Sequence, residues 1–157
     1  MKTQIIIIAI FFLSNSCGIQ QNETKDSDLA KYLQEIHKFE SVGENPILIF
    51  IPISSCGFCQ KEVISFLHQK KVIPKNVFII IAGLNNAEIT PYKQQLKKFK
   101  GNLLVDKGYQ YNKYKAIVGN EPFYAYLDDE KTVKKTEVNA ENYNFVLPQL
   151  EKLLNLH

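Results

Sequence analysis

Two runs constrain this chain most: "PILIFIPI" at 46–53 and "NVFIIIAG" at 76–83. Each is apolar throughout over the length of a strand, and a strand with no polar face must be covered on both sides. Between them, Cys59, Val63, Phe66 and Leu67 recur at helical spacing, which assigns Gln60, Lys61, Glu62 and Gln69 to the solvent side of that helix. Buried strands separated by a helix pair in parallel. With 157 residues there is room for one domain with a proper core.

The remaining segments build onto that unit. "DSDLAKYLQEIHKFE" places Leu29, Tyr32, Leu33, Ile36 and Phe39 on one helical face, with acids at its start to suit the helix dipole. Thr90 followed by Pro91 reads as the N-cap and first position of a helix over "YKQQLKKFK", with Leu96 and Phe99 inward. "NLLVD" at 102–106 is a short strand, and "GYQYNKYKAI" a short helix or turn. "PFYAYLDDEKTVKKTEV" reads as a hairpin, with strands near 122–127 and 132–138 around the turn Asp128–Asp129–Glu130. A last helix carries Val146, Leu147, Leu150, Leu153 and Leu154 inward, and Pro148 marks a kink or a late start. The expected fold is α/β, a central mixed sheet flanked by helices on both faces.

The first seventeen residues, "MKTQIIIIAIFFLSNSC", have a different design. One lysine precedes an unbroken apolar run from Ile5 to Leu13, and small or polar residues follow. That is the layout of an export signal, and nine apolar residues are too few to span a bilayer comfortably. Ser16–Cys17 is similar to the cleavage site of bacterial lipoproteins, where the cysteine becomes the lipidated first residue, although Ser14 stands where such sites usually carry leucine. We therefore expect a lipoprotein-type signal peptide over 1–16, a lipid on Cys17, a tether over 17–27 and a domain over 28–157. The mature protein would then lie in the cell envelope, exported and lipid-anchored on the periplasmic side.

Charge narrows the partners. All 19 basic residues are lysine, and the net charge is only +3. Bidentate reading of phosphates and guanine edges normally uses arginine, so a dedicated nucleic-acid reader is not expected. With three cysteines, a disulfide-stapled miniprotein is excluded as well.

Two of those cysteines sit at the junction of the first apolar run and the helix, in "CGFC" at 56–59. A strand-to-helix turn puts Cys56 at the positive end of a helix, which favours its thiolate, the nucleophile of disulfide exchange. Cys59 lies one turn along on the inward stripe, placed to act as a resolving thiol, and the spacing lets the two sulfurs form a Cys56–Cys59 disulfide. Gly57 leaves room for a partner's backbone, and Phe58 offers an apolar contact. A lone pair of this kind can also be half a zinc site or an inert structural disulfide. There is no second pair, however, and His37, His68 and His157 are badly placed to complete a metal site, so no metal is expected.

With strand, "CGFC" and helix assembled, the chain resembles the thioredoxin superfamily, and most nearly its exported, membrane-tethered thiol–disulfide oxidoreductases of the TlpA type. "VGNEPFYAYLDDEKTV" adds to the likeness. The family carries a cis-proline before a strand that ends in an acidic turn, and Pro122 matches that place. The resemblance implies that Pro122 packs across from the cysteine pair and that the backbone of Glu121 receives a partner chain as an added strand. It further implies a thioredoxin-like fold with an insertion before Pro122, exchange with the thiols and disulfides of exported proteins, a membrane or envelope redox partner, and no bound cofactor. The sequence departs from the pattern at two points: Ser55 stands where the family often has tryptophan, and Phe50 where thioredoxins bury an acid. A Glu121 carboxylate facing inward would raise the Cys56 pKa by charge repulsion. The alternative reading is a non-catalytic thioredoxin-fold binding module of the cell envelope.

Overall fold

The computed structural model describes residues 27–39, 45–115, 117–127 and 133–156. The signal at 1–16, Cys17, the tether up to residue 26, the turn at 128–130 and His157 lie outside the described residues.

The two apolar runs become β1 (Ile47–Pro52) and β2 (Val77–Gly83), and every residue of both is buried. They pair in parallel, Ile47 opposite Val77 through Pro52 opposite Ala82, across α2 (Gly57–Gln69). β3 (Leu103–Lys107) adds in parallel to the far side of β2. The hairpin strands β4 (Phe123–Leu127) and β5 (Val133–Glu137) add antiparallel on the other side, with Phe123 opposite Phe50. The five strands run in the order β3-β2-β1-β4-β5. A βαβ unit and a ββα unit sharing one mixed sheet is the thioredoxin-like arrangement, with β3 added at its edge from the stretch between β2 and Pro122.

Side-chain alternation along β1 and β2 sorts the core into two layers. Ile47, Ile49, Ile51, Val77, Ile79 and Ile81 face α2, α3 (Asn86–Gln95) and α4 (Tyr143–Asn155). Leu48, Phe50, Phe78, Ile80 and Ala82 face Leu29, Tyr32 and Leu33 of α1 (Ser27–His37), together with Tyr111, Tyr114 and Ile117. Each aliphatic side chain so buried stabilises the fold by roughly 1.5–3 kcal/mol. Phe50 stacks on Phe123 at 4.5 Å and touches Tyr32 and Tyr111 at 5.6 and 5.4 Å between ring centres. Phe50 thus sits at the centre of an aromatic cluster on this face of the sheet.

Three expectations are corrected. Helix α3 begins at Asn86, not at Thr90–Pro91. Asn85 Oδ1 accepts from the Glu88 N–H at 3.1 Å, and Glu88 Oε2 accepts from the Leu84 N–H at 3.0 Å. This reciprocal cap satisfies two donors, which Thr90 cannot match, and Pro91 lies inside the helix on its exposed side. Helix α4 begins at Tyr143, so Pro148 does not mark a late start; its missing N–H leaves the carbonyl of exposed Asn144 without that helical partner. Finally, there is no cis peptide bond among the described residues, so Glu121–Pro122 is trans. Trans is the lower state of an X–Pro amide by about 0.5–1 kcal/mol. Here the trans chain delivers Pro122 O to the Val138 N–H at 2.7 Å and Phe123 to its place opposite Phe50.

Candidate functional site

The site forms where β1 ends. Ile53 N–H still bonds to Ala82 O at 2.8 Å, and the chain then turns through Ser54 and Ser55 into α2. One buried side chain braces this turn. The Gln60 amide donates to Pro52 O at 2.6 Å and Ile53 O at 2.8 Å, and its carbonyl accepts from Tyr92 Oη at 3.0 Å. Ser55 Oγ donates to Pro52 O at 2.8 Å. Gln60 is only 3% exposed, which corrects its assignment to the solvent side of α2. The buried arc of the helix is wider than the Cys59–Val63–Phe66 stripe. Counted from Cys59, Gln60 lies at about 100°, between Leu67 at about 80° and Ile64 at about 140°. Ile64 and Leu67 are both buried, so an arc drawn through Ile64 would have enclosed Gln60.

Cys56 is the N-cap residue of α2 and is half-exposed; Cys59 is 1% exposed. Both thiols are free, and they lie close enough for each to shift the other's pKa. The Cys56 pKa is lowered, first by the hydrogen bond from the Cys59 thiol and then by the backbone N–H groups of Cys59 and Phe58. Desolvation and the nearby Glu121 oppose that shift. No geometrically complete capping bond reaches the Cys56 side chain, so the amides act mainly through their field. Cys59 is pushed up to about 12, by burial first and then by its hydrogen bond to Cys56, with the charges of Cys56 and Glu121 adding to the rise.

Gly57 is exposed, and a Cβ built there would meet nothing within 4 Å, so the backbone between the two cysteines is open to solvent. Phe58 is 45% exposed and sets its ring edge-on to Tyr143 of α4 at 5.2 Å. Pro122 is buried at the start of β4, the neighbour of β1, and Glu121 precedes it with its charge felt at both sulfurs.

The 118–122 segment is clamped from two sides. Lys135 Nζ donates to Val118 O and to Glu137 Oε1, while Tyr111 Oη donates to Gly119 O at 2.5 Å. Gly119 makes the clamp possible, because a Cβ there would meet Lys135 Nζ at 2.5 Å. Long-range pairing of this kind leaves no periodic trace in sequence. Among the described residues, no three His, Cys, Asp or Glu side chains gather as a metal-binding group, and no helix is long and apolar enough to cross a membrane.

A half-exposed thiol at a helix tip, with a buried thiol one turn along, both just beyond the end of the central strand of a thioredoxin-like sheet, defines a dithiol centre. No protein-family model matches the chain, and no curated protein matches it. Among solved structures it is similar to a domain of a possible thiol-disulfide isomerase from Cytophaga hutchinsonii. That likeness has 21% identity over 76% of this chain and 83% of that one, with a TM-score of 0.42. It is also similar to StoA from Bacillus subtilis, with 21% identity over 72% and 84% of the two chains and a TM-score of 0.43. A secreted Mycobacterium tuberculosis disulfide oxidoreductase shows 12% identity over 67% and 81%, with a TM-score of 0.44. Likenesses this distant leave the chemistry to be read from the chain's own geometry.

Proposed function

We propose that this chain is a thiol–disulfide oxidoreductase of the thioredoxin type, exchanging disulfides with exported proteins while a lipid on Cys17 holds it at a membrane. The observation that carries the reading is the asymmetry of the pair: an accessible thiol with a lowered pKa above a sealed thiol with a raised one. A nucleophile has to be ionised and reachable, and a resolving thiol has to stay protonated until a mixed disulfide forms. Cys56 attacks a partner disulfide, Cys59 displaces the partner, and a Cys56–Cys59 disulfide results. The open space over Gly57 and the exposed ring of Phe58 favour an incoming chain, which would lie along Glu121 and Pro122. The two sulfurs carry the electrons themselves, so the reaction calls for no bound cofactor, and an envelope redox partner resets the pair.

The test is trapping. Cys59→Ser should accumulate mixed disulfides through Cys56, seen as partner-linked bands on non-reducing gels and absent when Cys56 is also serine. If no adduct forms under oxidising conditions, the proposal is wrong. A very negative reduction potential without insulin reduction would assign the chain instead to a non-catalytic binding module. The anchor is tested separately by metabolic labelling with a lipid precursor: label should enter the wild type and be lost in Cys17→Ser, and an unlabelled wild type removes the anchor.

A further inference from the structure

We infer that the end of the sheet opposite the cysteine pair is a membrane-facing surface, whose lysines rest on anionic lipid headgroups. This builds on the anchored reading above. Two connections meet at that end, residues 70–76 leading from α2 into β2 and residues 96–102 leading from α3 into β3. They are pinned to each other. Lys98 Nζ donates to His68 O at 2.7 Å and Lys70 O at 2.9 Å, and Asn102 Nδ2 donates to Pro74 O at 3.2 Å and Val77 O at 2.8 Å. The bonds gather Lys70, Lys71, Lys75, Lys97, Lys98 and Lys100 on one corner of the molecule.

Little neutralises this charge. The chain has no Asp or Glu at 63–87 or at 89–105. Glu151 of α4 is the one acid paired into the cluster among the described residues, through Lys70. Lys71, Lys75, Lys97 and Lys100 are exposed and pair with no acid among the described residues. β4 and β5, whose hairpin carries the acidic turn, lie on the other side of β1. Val72 stands among the lysines with 81% of its surface exposed, an apolar side chain on a basic rim. That combination suits the boundary between headgroups and acyl chains.

The kind of partner follows from the charges. Lysine is a point charge without arginine's bidentate fork, so the cluster fits a diffuse anionic layer better than one gripped phosphate. The tether expected over 17–27 spans at most about 40 Å, which keeps an anchored domain within reach of the headgroups. A basic surface beside a lipid anchor then supplies a second attachment. Cys56 stands at the other tip of α2, about 20 Å from the lysines. Docking by this corner turns the thiol away from the bilayer, toward partners in solution.

The test is lysine footprinting of the lipid-bearing full chain in phosphatidylcholine vesicles, pure or mixed with phosphatidylglycerol at about three to one. A water-soluble acetylating reagent is added in excess, and the rate at each lysine is read by mass spectrometry. A docked lysine reacts only when it lifts off, so protection reports the docking equilibrium. Lys71, Lys75, Lys97 and Lys100 should slow about fivefold or more in the anionic vesicles, the scale of one lysine's attraction to such a surface. Exposed Lys31 and Lys113, on elements of the opposite face, should react alike in both. Protection should vanish at about 1 M salt, where the screening length shortens to about 3 Å. Lys71→Gln with Lys97→Gln should return Lys75 and Lys100 to their neutral-vesicle rates, while unchanged alkylation of Cys56 shows the variant folded. Equal rates in both vesicles overturn the inference and leave the cluster to an acidic protein partner. A chain that carries no lipid overturns the anchor alone, and the same labelling with excess anionic vesicles still decides the surface.

Discussion

Two sulfurs one helical turn apart ionise differently because one faces water beside amide N–H groups and the other is sealed in the core. The sign of the resulting pH dependence follows. Alkylation of the reduced chain should occur at Cys56 and inflect below the ordinary thiol value of about 8.5, while Cys59 stays unlabelled in the folded state. Rates measured against pH, with the labelled cysteine located by mass spectrometry, check this; labelling of both thiols together would contradict it. For stability, the lowered Cys56 pKa favours folding above the unfolded thiol's pKa, and that gain is lost as pH falls through the folded value. Cys59 acts oppositely. Between the ordinary value and about 12 the unfolded chain gives up its proton while the folded chain keeps it, so the reduced protein loses stability as pH rises through that window. Gln60 was misplaced in sequence because polarity alone suggested solvent, although its helical angle falls inside the buried arc. Gln60→Leu removes both donors to Pro52 and Ile53 and the acceptor for Tyr92. It should cost roughly 1–3 kcal/mol in denaturant unfolding and slow Cys56 alkylation at neutral pH, since the turn presenting that sulfur loosens.

Among the elements, α3 shows how a local signal can be outbid by its neighbour. "TP" is a good helix start, yet "NNAE" lies upstream and closes a cap in which the Asn85 and Glu88 side chains each satisfy a backbone donor. Asn85→Ala should therefore destabilise the protein by about 1 kcal/mol, while Thr90→Ala should stay within about 0.5 kcal/mol. Chemical denaturation of the two variants decides between the caps; the reverse ranking would restore Thr90. β1, β2, α2 and α4 were legible because each carries a long apolar pattern of one period. The hairpin was legible through its two short runs. The clamp on 118–122 was not, because Tyr111, Lys135 and Gly119 come from three separate segments that only the closed sheet brings together.

For the molecule as a whole, the buried Asp106 ties β3 to α1. Its Oδ1 accepts from the Gln110 N–H at 2.7 Å, and its Oδ2 from the Tyr111 N–H at 2.7 Å and Tyr32 Oη at 3.1 Å. His37 Nε2 meets Tyr32 Oη at 3.0 Å. Asp106→Ala strands three donors and should cost about 3 kcal/mol or more, whereas Tyr32→Phe leaves Oδ2 with its amide and should cost about 0.5–1.5 kcal/mol. Thermal unfolding of both variants tests the ranking. The His37 pKa is lowered by burial, against a smaller opposing pull from Asp106. The unfolded chain therefore binds the proton first, and stability falls as pH drops below about 6.5 toward the folded value; His37→Gln should flatten that slope. By itself the sequence determined the buried strands, the helix between them and a thiol at that helix's tip, because unbroken apolar runs and helical spacing are local properties of the chain. Only the tertiary structure decided that Gln60 and Asp106 are buried, that Phe50 heads an aromatic cluster and that a carboxylate oxygen of Glu121 is buried. Burial of a polar group depends on partners many residues away, and those partners exist only once the sheet has closed.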